Sequence, residues 1–350
     1  MDKQKVIIST QLEQVLRQET GECQADHIFI LTDTTTRQLC LPVIKEYDCL
    51  QGAEVIAIEA GDTNKSLDSV VHVWSELQRM GATRHSLLIN LGGGMVTDLG
   101  AFAASTFKRG ISIINIPTTL LSMVDASVGG KTGFNFGGLK NEIGVFRNAD
   151  CVILDTTFLK TLDEENILSG YAEMLKHGLI STEKHWAELM NFDIEHPDLK
   201  ELGDLVAKSV QIKEHIVTED PTEKGIRKAL NLGHTVGHAF ESLALQRKPV
   251  LHGYAVAWGM VCELYLSVAK TEFPVEKMRQ MTRFIFEHYG RMPITCDDYP
   301  TLIELMTHDK KNIGANINFT LLGGIGDIRI NQTATKEEIE EALDFFREGC

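Results

Sequence analysis

The pattern of hydrophobic positions divides the chain into two parts. Up to about residue 155, short runs of aliphatic and β-branched residues alternate with segments of helical periodicity. The runs predict strands at 6–9, 27–32, 54–59, 86–91, 111–116 and 151–155. Because helical segments separate these strands, the pattern favours a parallel α/β sheet.

From about residue 161 the strand signal fades, and amphipathic stretches predict helices at 167–180, 199–216 and 229–245. A chain of 350 residues exceeds the usual size of a single hydrophobic core. We therefore predict an α/β domain over residues 1–160 and a mostly helical domain over residues 161–350, with a cleft between them.

Composition and charge narrow the class of protein. A formal net charge of −15 opposes long-range attraction to nucleic acid and anionic membranes, so an anionic ligand must be held by local clusters of cations. No apolar run is long enough to cross a bilayer, and the N-terminus lacks the apolar stretch of a secretion signal. The seven cysteines include no C-x-x-C pair. These features predict a cytoplasmic globular protein with reduced thiols.

Three glycines follow a predicted buried strand. Residues 87–94 lead from that strand into Gly92, Gly93 and Gly94, and 95–105 is then predicted to be a helix. Glycine lets a backbone approach phosphate closely, and a helix N-terminus offers N–H groups. The turn is therefore either a pyrophosphate site of a Rossmann-like domain or a tight structural turn. Asp33, which follows another predicted strand, is either an acceptor for ribose hydroxyls or a helix cap.

Small, hydroxyl and glycine residues between 117 and 133 surround one aspartate, Asp125, and one lysine, Lys131. Lys140 and Asn141 follow and add a cation and an amide. Such groups suit the oxygens of phosphate or carboxylate. We predict a cradle for such oxygens here, with a solvated lysine loop as the alternative.

The helix predicted after residue 160 carries polar residues away from its apolar stripe. Thr161 and Glu164 have the spacing of a capping box that opens this helix. Glu173 and Lys176 share one face at a spacing of three residues. By itself this spacing favours an exposed ion pair.

The segment 227–241 is the most informative part of the sequence. Arg227, Asn231, His234 and His238 recur at intervals of four, three and four residues, which places them on one face if the segment is helical. Core packing does not select four such polar groups, so we predict a functional face.

Gly233 and Gly237 lie within that predicted helix, where each costs about 1 kcal/mol of helix propensity relative to alanine. We infer that a substrate or a metal ion approaches the helix closely there. His252 precedes another apolar helix and offers a further imidazole. Glu173, His234 and His252 together form a candidate divalent-metal site, suited to zinc or cobalt, with positions left open for substrate oxygens.

These motifs resemble those of the 3-dehydroquinate synthase family, over nearly the whole chain and in the family's order. The matching segments are 92–100, 117–133, 140–141, 170–180, 231–241, 252–253 and 309–311. The resemblance implies a homodimeric enzyme of the shikimate pathway that converts 3-deoxy-D-arabino-heptulosonate 7-phosphate into 3-dehydroquinate and phosphate. It implies that NAD oxidises the substrate transiently, that phosphate leaves, that the hydride returns, and that an intramolecular aldol step closes the ring.

The resemblance also implies roles for individual residues. The metal ligands would be Glu173, His234 and His252. The residues against NAD would be Asp33, Asp62, Lys65, Gly93, Gly94, Asp98, Thr118, Thr119, Lys140 and Thr161. The catalytic and substrate-binding residues would be Asp125, Lys131, Asn141, Lys176, Lys213, Arg227, Asn231, His238 and Lys310, with Arg109 supplied by the second subunit.

Three features depart from the commonest family pattern. Tyr254 replaces a glutamate after the His-Gly pair, Asp62 replaces another glutamate, and 162–165 lacks the usual proline and arginine. Each implied ligand is retained, so these departures bear on subfamily and on cofactor geometry.

Two other functions fit the same motifs. One is another sugar-phosphate cyclase, which takes a substrate without a carboxylate; the other is a metal-dependent alcohol or polyol dehydrogenase of the same architecture. Arg227, Asn231 and His238 match the pattern for the acidic substrate and favour the synthase.

Overall fold

The computed structural model describes residues 4–137, 139–307 and 317–349. The chain forms two compact units, Met1–Asp163 and Glu164–Cys350, which we call the N-terminal and C-terminal units. The first contains a parallel sheet and the second is mostly helical, which confirms the predicted fold class. Within the described part of the chain, no helix combines the length and the apolar character needed to span a bilayer.

The sheet of the N-terminal unit contains six parallel strands. They are β1 (Val6–Ile8), β2 (Ile28–Asp33), β3 (Glu54–Ile58), β4 (Leu87–Gly92), β5 (Ser112–Pro117) and β8 (Cys151–Leu154). Their order is β1-β8-β5-β4-β2-β3. All six predicted strands are confirmed, with their ends shifted by one residue at most.

The strand order of this sheet reverses between β2 and β4. The chain passes from β2 to its neighbour β3 on one side, whereas β4 pairs with the other side of β2 and is followed by β5. All side chains of β4 are buried, which explains its continuous aliphatic sequence. In parallel α/β sheets, ligands bind outside the carboxyl ends of the strands at such a switch point.

The sheet is connected by helices and by one hairpin. The helices are α1 (Leu12–Cys23), α2 (Thr34–Leu39), α3 (Leu41–Ile44), α4 (Leu67–Arg79) and α5 (Gly94–Thr106). The hairpin consists of β6 (Lys131–Phe136) and β7 (Leu139–Phe146), which are antiparallel. Lys131, Lys140 and Asn141 lie in these two strands, so the alternative of a solvated lysine loop was wrong. Every described residue of β7 is exposed, so no alternation of buried and exposed positions marks this strand in the sequence.

The C-terminal unit consists of eight described helices and a second hairpin. The helices are α6 (Glu164–Leu179), α7 (Glu183–Asn191), α8 (Leu199–Glu219), α9 (His234–Leu245), α10 (His252–Thr271), α11 (Val275–Tyr289), α12 (Tyr299–Thr307) and α13 (Lys336–Glu348). The hairpin is formed by β9 (Asn318–Gly324) and β10 (Asp327–Thr333). Residues 167–179 of α6 are buried on every face, so α6 is a central helix of this unit.

The continuous helix predicted over 229–245 was wrong at its start. Residues Ile226–Asn231 form a 3-10 helix, and α9 begins only at His234. Between them Gly233 has φ 80°, a left-handed conformation that strongly favours glycine. The intervals of four, three and four residues therefore do not describe one helical face.

The capping box predicted for Thr161 and Glu164 was also wrong. Thr161 ends a 3-10 helix (Thr156–Thr161), and its hydroxyl donates a hydrogen bond to the carbonyl of Phe158 at 2.7 Å. Since α6 begins at Glu164, Thr161 lies too far upstream to be its N-cap.

The glycines of the 233–259 region allow α9 and α10 to approach each other. A Cβ atom on Gly237 would lie 2.9 Å from the carbonyl oxygen of Ala255, and one on Gly259 would lie 2.0 Å from that of Gly233. The predicted close approach at Gly233 and Gly237 is therefore present, but the neighbouring helix makes it where a substrate or a metal ion was expected.

We predict that Gly259→Ala lowers the free energy of unfolding of the C-terminal unit by about 1–3 kcal/mol, because the added methyl group must displace backbone atoms. Gly21→Ala is a matched control, since Gly21 lies in α1 and an added Cβ meets no atom within 4 Å. The control is expected to stabilise the protein by up to about 1 kcal/mol. Chemical denaturation measures both changes, and equal effects of the two substitutions would contradict this account of the packing.

Candidate functional site

One carboxylate and two imidazoles converge inside the C-terminal unit. Nε2 of His234 lies 3.5 Å from Oε1 of Glu173, and Nε2 of His252 lies 3.6 Å from the same oxygen. The ligand-capable atoms of the three residues all lie within 4.8 Å of one another. We call Glu173, His234 and His252 the three-residue cluster.

Three different helices supply this cluster. Glu173 lies in the middle of α6, whereas His234 and His252 are the first residues of α9 and α10. The predicted grouping of these three side chains is therefore present in the structure, although the sequence places them up to 79 positions apart (252 − 173). Glu173 is fully buried, while the side chains of His234 and His252 are 12% and 29% exposed. Solvent therefore reaches the cluster on the side of the two imidazoles.

Each imidazole is held by its other ring nitrogen. Nδ1 of His234 lies 3.1 Å from the carbonyl oxygen of Leu232, and Nδ1 of His252 lies 3.4 Å from Oε2 of Glu241. A proton on Nδ1 in each ring leaves the lone pair of Nε2 directed at the cluster. Backbone carbonyls and carboxylates commonly orient metal-binding histidines in this way.

Burial and neighbouring groups of opposite charge shift the pKa values of the cluster residues in opposite directions. Burial by itself raises the pKa of the Glu173 carboxyl, but Lys176, His234 and His252 outweigh it and hold that pKa well below the ordinary range. Burial lowers the pKa of His234 well below the usual value, despite the charge of Glu173. For His252 burial also disfavours the charged form, but Glu241 and Glu173 raise the pKa to about 10. The cluster thus combines an anionic carboxylate and a neutral imidazole at His234 with a second imidazole, His252, whose charged form is favoured.

Lys176 is part of the same buried environment. Its ammonium group lies against Oε2 of Glu173 and donates a hydrogen bond to the carbonyl of Leu230 at 2.9 Å. The side chains of Glu173 and Lys176 are 0% and 1% exposed. The prediction of an exposed ion pair was therefore wrong, because α6 is surrounded by other elements on all sides.

Other predicted residues of the C-terminal unit lie near the start of α9. His238 is one turn after His234, with ring centroids 5.3 Å apart, and its ring is 5.9 Å from that of His252. The Asn231 amide donates to Oε1 of Glu223 at 2.8 Å, and Nη1 of Arg227 donates to the carbonyl of Pro221 at 2.8 Å.

Two further predicted residues belong to the same unit. Lys213 is buried in α8. Lys310 lies outside the described residues.

The N-terminal unit brings several predicted cofactor-binding residues to one edge of its sheet. Asp33 ends β2, Gly93 and Gly94 follow β4, and Thr118 and Thr119 follow β5. Since β2, β4 and β5 are parallel neighbours, these residues lie at the same edge, beside the switch point.

Asp33 caps a helix in the structure, which is one of the two roles predicted for it. Its Oδ1 accepts a hydrogen bond from the Thr36 amide at 2.7 Å, and its own amide donates to the Thr36 hydroxyl at 3.0 Å. Asp33 therefore caps α2. Its position after β2 is also the one that a ribose-binding acid occupies in dinucleotide folds, so the cap does not exclude that role.

Charged and amide groups connect the hairpin to the start of α4. Nζ of Lys65 lies 2.6 Å from Oδ2 of Asp98 and 2.5 Å from Oδ1 of Asn141, and the Lys65 side chain is 5% exposed. Nearer the surface, Nζ of Lys140 lies 3.1 Å from Oδ2 of Asp62. Lys140 and Asn141, which were predicted to bind an oxyanion, thus pair with Asp62 and Lys65, which the family resemblance assigns to the cofactor.

The remaining predicted residues of the N-terminal unit are less closely grouped. Asp125 lies in a π-helical turn (Ser122–Ala126), and Lys131 begins β6 with an exposed side chain. Arg109 is exposed and has φ 71°. Thr161 is half-buried, with its hydroxyl 3.9 Å from Sγ of Cys40.

Sequence reasoning assigned no role to three groups that shape the three-residue cluster. They are the carboxylate of Glu241, the carbonyl of Leu232 and the carboxylate of Glu263, which binds the first turn of α9. Glu241 lies eleven positions before His252, and no spacing rule links them. A backbone carbonyl leaves no signal in the sequence at all.

The comparisons with known proteins agree with this arrangement. The profile of the 3-dehydroquinate synthase N-terminal domain matches residues 55–169, and that of the C-terminal domain matches residues 170–312. A 3-dehydroquinate synthase from Parabacteroides distasonis is 55% identical over 350 residues, covering 100% of this chain and 99% of the relative.

Solved structures of related cyclases share the fold. A 2-epi-5-epi-valiolone synthase from Streptomyces hygroscopicus, with NAD+ and Zn2+ bound, is 25% identical with a TM-score of 0.87 over 99% of this chain and 98% of that one. A 2-deoxy-scyllo-inosose synthase gives a TM-score of 0.86 at 22% identity, with 99% and 96% of the two chains covered. From the two domain profiles and the full-length relative together, this chain belongs to the 3-dehydroquinate synthase family.

Proposed function

We propose that this enzyme converts 3-deoxy-D-arabino-heptulosonate 7-phosphate into 3-dehydroquinate and inorganic phosphate, with one divalent metal ion and NAD as cofactors. The observation that carries the proposal is the three-residue cluster inside a chain of the 3-dehydroquinate synthase family. As a member of this family, the enzyme belongs to the general class of lyases.

The chemistry of the cluster fits a divalent cation. Among the described residues, neither oxygen of Glu173 has a hydrogen bond of normal geometry, although both are buried. A buried carboxylate without such bonds is costly unless a positive charge compensates it. Zinc and cobalt accept one carboxylate and two imidazoles as ligands, and binding of the ion would displace the proton that the raised pKa of His252 favours. Glu173, His234 and His252 would hold the ion, which supplies a Lewis acid for the substrate oxygens.

The carboxyl edge of the sheet fits a dinucleotide. A Cβ atom on Gly93 would lie 3.1 Å from the Thr119 side chain, and one on Gly94 would lie 3.0 Å from Ala126, so a side chain at this turn would press against its neighbours. The N-cap residue of α5 is Gly93, which has no side chain to cap the helix, so N–H groups of the first turn can be offered to an anion. Gly93, Gly94, Thr118 and Thr119 would bind the pyrophosphate, while Asp33 would accept ribose hydroxyls. NAD supplies a reversible hydride acceptor when bound there.

We propose roles for further residues in each of the two units. In the N-terminal unit, the residues proposed for the cofactor are Asp62, Lys65, Asp98, Lys140 and Thr161. The residues proposed for substrate binding and proton transfer are Asp125, Lys131, Asn141, Lys176, Lys213, Arg227, Asn231, His238 and Lys310. Their cationic and amide groups suit a substrate that carries both a carboxylate and a phosphate.

Tyr254 illustrates how the chain departs from its family without losing the cluster. Its ring packs edge-on against Trp258 and Tyr289, with centroids 6.1 and 5.2 Å apart. The tyrosine therefore extends the aromatic packing of α10 with α11. This supports the proposal that the departure concerns the subfamily and leaves the reaction unchanged.

We also propose that the enzyme acts as a homodimer in the cytoplasm, with Arg109 completing the site of the partner subunit. Arg109 and Lys108 both have left-handed backbones, with φ 71° and 47°, in a turn that exposes both side chains. Such conformations cost energy and often persist where function requires them. The cytoplasmic location is supported by six described cysteines that are all free thiols.

The reaction itself gives the first test. Purified protein with the phosphorylated seven-carbon acid, NAD and zinc is expected to release inorganic phosphate and 3-dehydroquinate in equal amounts, without net formation of NADH. A chelator should stop the reaction, and added zinc should restore it. Phosphate and NADH absorbance are measured in the same sample. Turnover of a neutral sugar phosphate without turnover of the acid would favour another cyclase, and accumulation of NADH with a simple alcohol would favour a dehydrogenase.

The ligand set gives the second test. We expect Glu173→Ala and His234→Ala to weaken zinc binding by more than about 100-fold, since each removes a ligand from a set of three. His196→Ala is the control, because the His196 side chain is 84% exposed and is paired with Asp193 on the surface. Competition with a chromophoric chelator measures the Kd. Stoichiometric zinc in either cluster variant would refute the proposed ligands.

Complementation tests the role of Arg109. Arg109→Met and Glu173→Ala are each expected to be inactive. If Arg109 acts across the dimer, subunit exchange in an equal mixture forms sites with a normal Glu173 and a normal Arg109, and restores about a quarter of wild-type activity by statistical pairing. A mixture that stays inactive after confirmed exchange would show that Arg109 does not act across the subunits.

A further inference from the structure

The first turn of α9 is capped by a side chain from another helix. Its N-cap residue, Gly233, has no side chain to accept the N–H groups of this turn. Glu263 of α10 takes that role. Its Oε2 accepts from the Gly233 amide at 2.7 Å, and its Oε1 accepts from the amides of Thr235 and Val236 at 3.0 and 3.2 Å.

This contact is strong for physical reasons. Glu263 is fully buried, and both of its oxygens act as acceptors, which is the pattern of an ionised carboxylate. Hydrogen bonds to a charged acceptor are stronger than neutral ones, and a negative charge is favoured at a helix N-terminus. A buried carboxylate also loses its hydration, so the three N–H groups are needed to compensate it.

These hydrogen bonds hold the backbone on both sides of one member of the three-residue cluster. His234 stands between the two residues whose amides Glu263 binds most closely, Gly233 and Thr235. The backbone on both sides of the imidazole is therefore fixed to α10. The ring is fixed in turn by the Leu232 carbonyl, 3.1 Å from Nδ1.

The same helix carries another member of the cluster. His252 is the first residue of α10, and Glu263 follows it by eleven positions, about three helical turns. Gly259, between them, lies against the carbonyl of Gly233. Glu263 thus ties the segment that carries one imidazole to the helix that carries the other.

We propose that Glu263 is a positioning residue of the metal site: by holding the N-terminus of α9 against α10, it sets the distance between the imidazoles of His234 and His252. This proposal rests on the proposed function, because it requires that the cluster binds a metal ion. Glu263 is not a member of the three-residue cluster, and its effect would pass through the α9 backbone that it binds.

The test compares Glu263→Gln with the wild-type chain. Glutamine has nearly the same shape, but its NH2 group cannot accept the N–H bonds that one carboxylate oxygen accepts, so the first turn of α9 shifts. The expected result is a rise of about tenfold in the Kd for zinc, measured by chelator competition. With cobalt in place of zinc, the visible absorption bands should also change, because they report the coordination geometry.

Ser267→Ala separates positioning from general stability. Ser267 is a buried residue of α10 whose hydroxyl donates to the carbonyl of Glu263 at 2.7 Å and accepts from the Leu322 amide at 3.1 Å. This variant is expected to lower Tm and to leave the Kd for zinc within about twofold, because it does not touch α9. If Glu263→Gln does not fold, Glu263→Asp keeps the charge, shortens the reach by one methylene, and should raise the Kd in the same direction.

The outcomes distinguish the two proposals. A folded Glu263→Gln with lower Tm but with wild-type Kd and cobalt spectrum would make Glu263 a structural cap and overturn the inference. A wild-type chain that binds neither zinc nor cobalt would overturn the proposed function, and the positioning role with it.

Discussion

The burial of the Glu173 carboxylate is the constraint on which the C-terminal unit depends. Burying a charged group costs free energy because the group loses its hydration. Groups on the surrounding helices offset part of this cost. Lys176 lies on the same helix one turn away, and two imidazoles approach from the starts of α9 and α10. Lys176 compensates the charge at one oxygen of Glu173, and the convergence of two imidazoles on the other oxygen is the feature that the proposed metal ion would explain.

Close packing of backbones makes this convergence possible. The glycines at 233, 237 and 259 let α9 and α10 touch, so that residues at their N-termini can face one atom of α6. The N-terminus of α9 would then lack hydrogen-bond acceptors, and Glu263 supplies them. Each departure from good helix propensity at this site is thus compensated by a contact with a neighbouring helix.

In the N-terminal unit, the order of the strands determines which residues lie close together. Because β2, β4 and β5 are parallel and adjacent, the turns that follow them meet at one edge, and the chemical character of that edge is set by residues far apart in the sequence. The hairpin β6–β7 places Asn141 against Lys65, which also pairs with Asp98, so groups that could bind an oxyanion also organise one another.

Sequence alone determined the six strands of the sheet, the predominance of helices after residue 161 and the membership of the three-residue cluster, because each depends on residue types and periodicity that are local or shared with a family. It did not determine the break at Gly233, the hairpin β6–β7 or the burial of Lys176. Those depend on which surfaces meet: α9 starts where α10 can cap it, β7 has no buried face to mark it, and a pair of charges is buried only if other elements surround its helix. Tertiary structure decided these features because their energies come from contacts between segments that have no fixed separation along the chain.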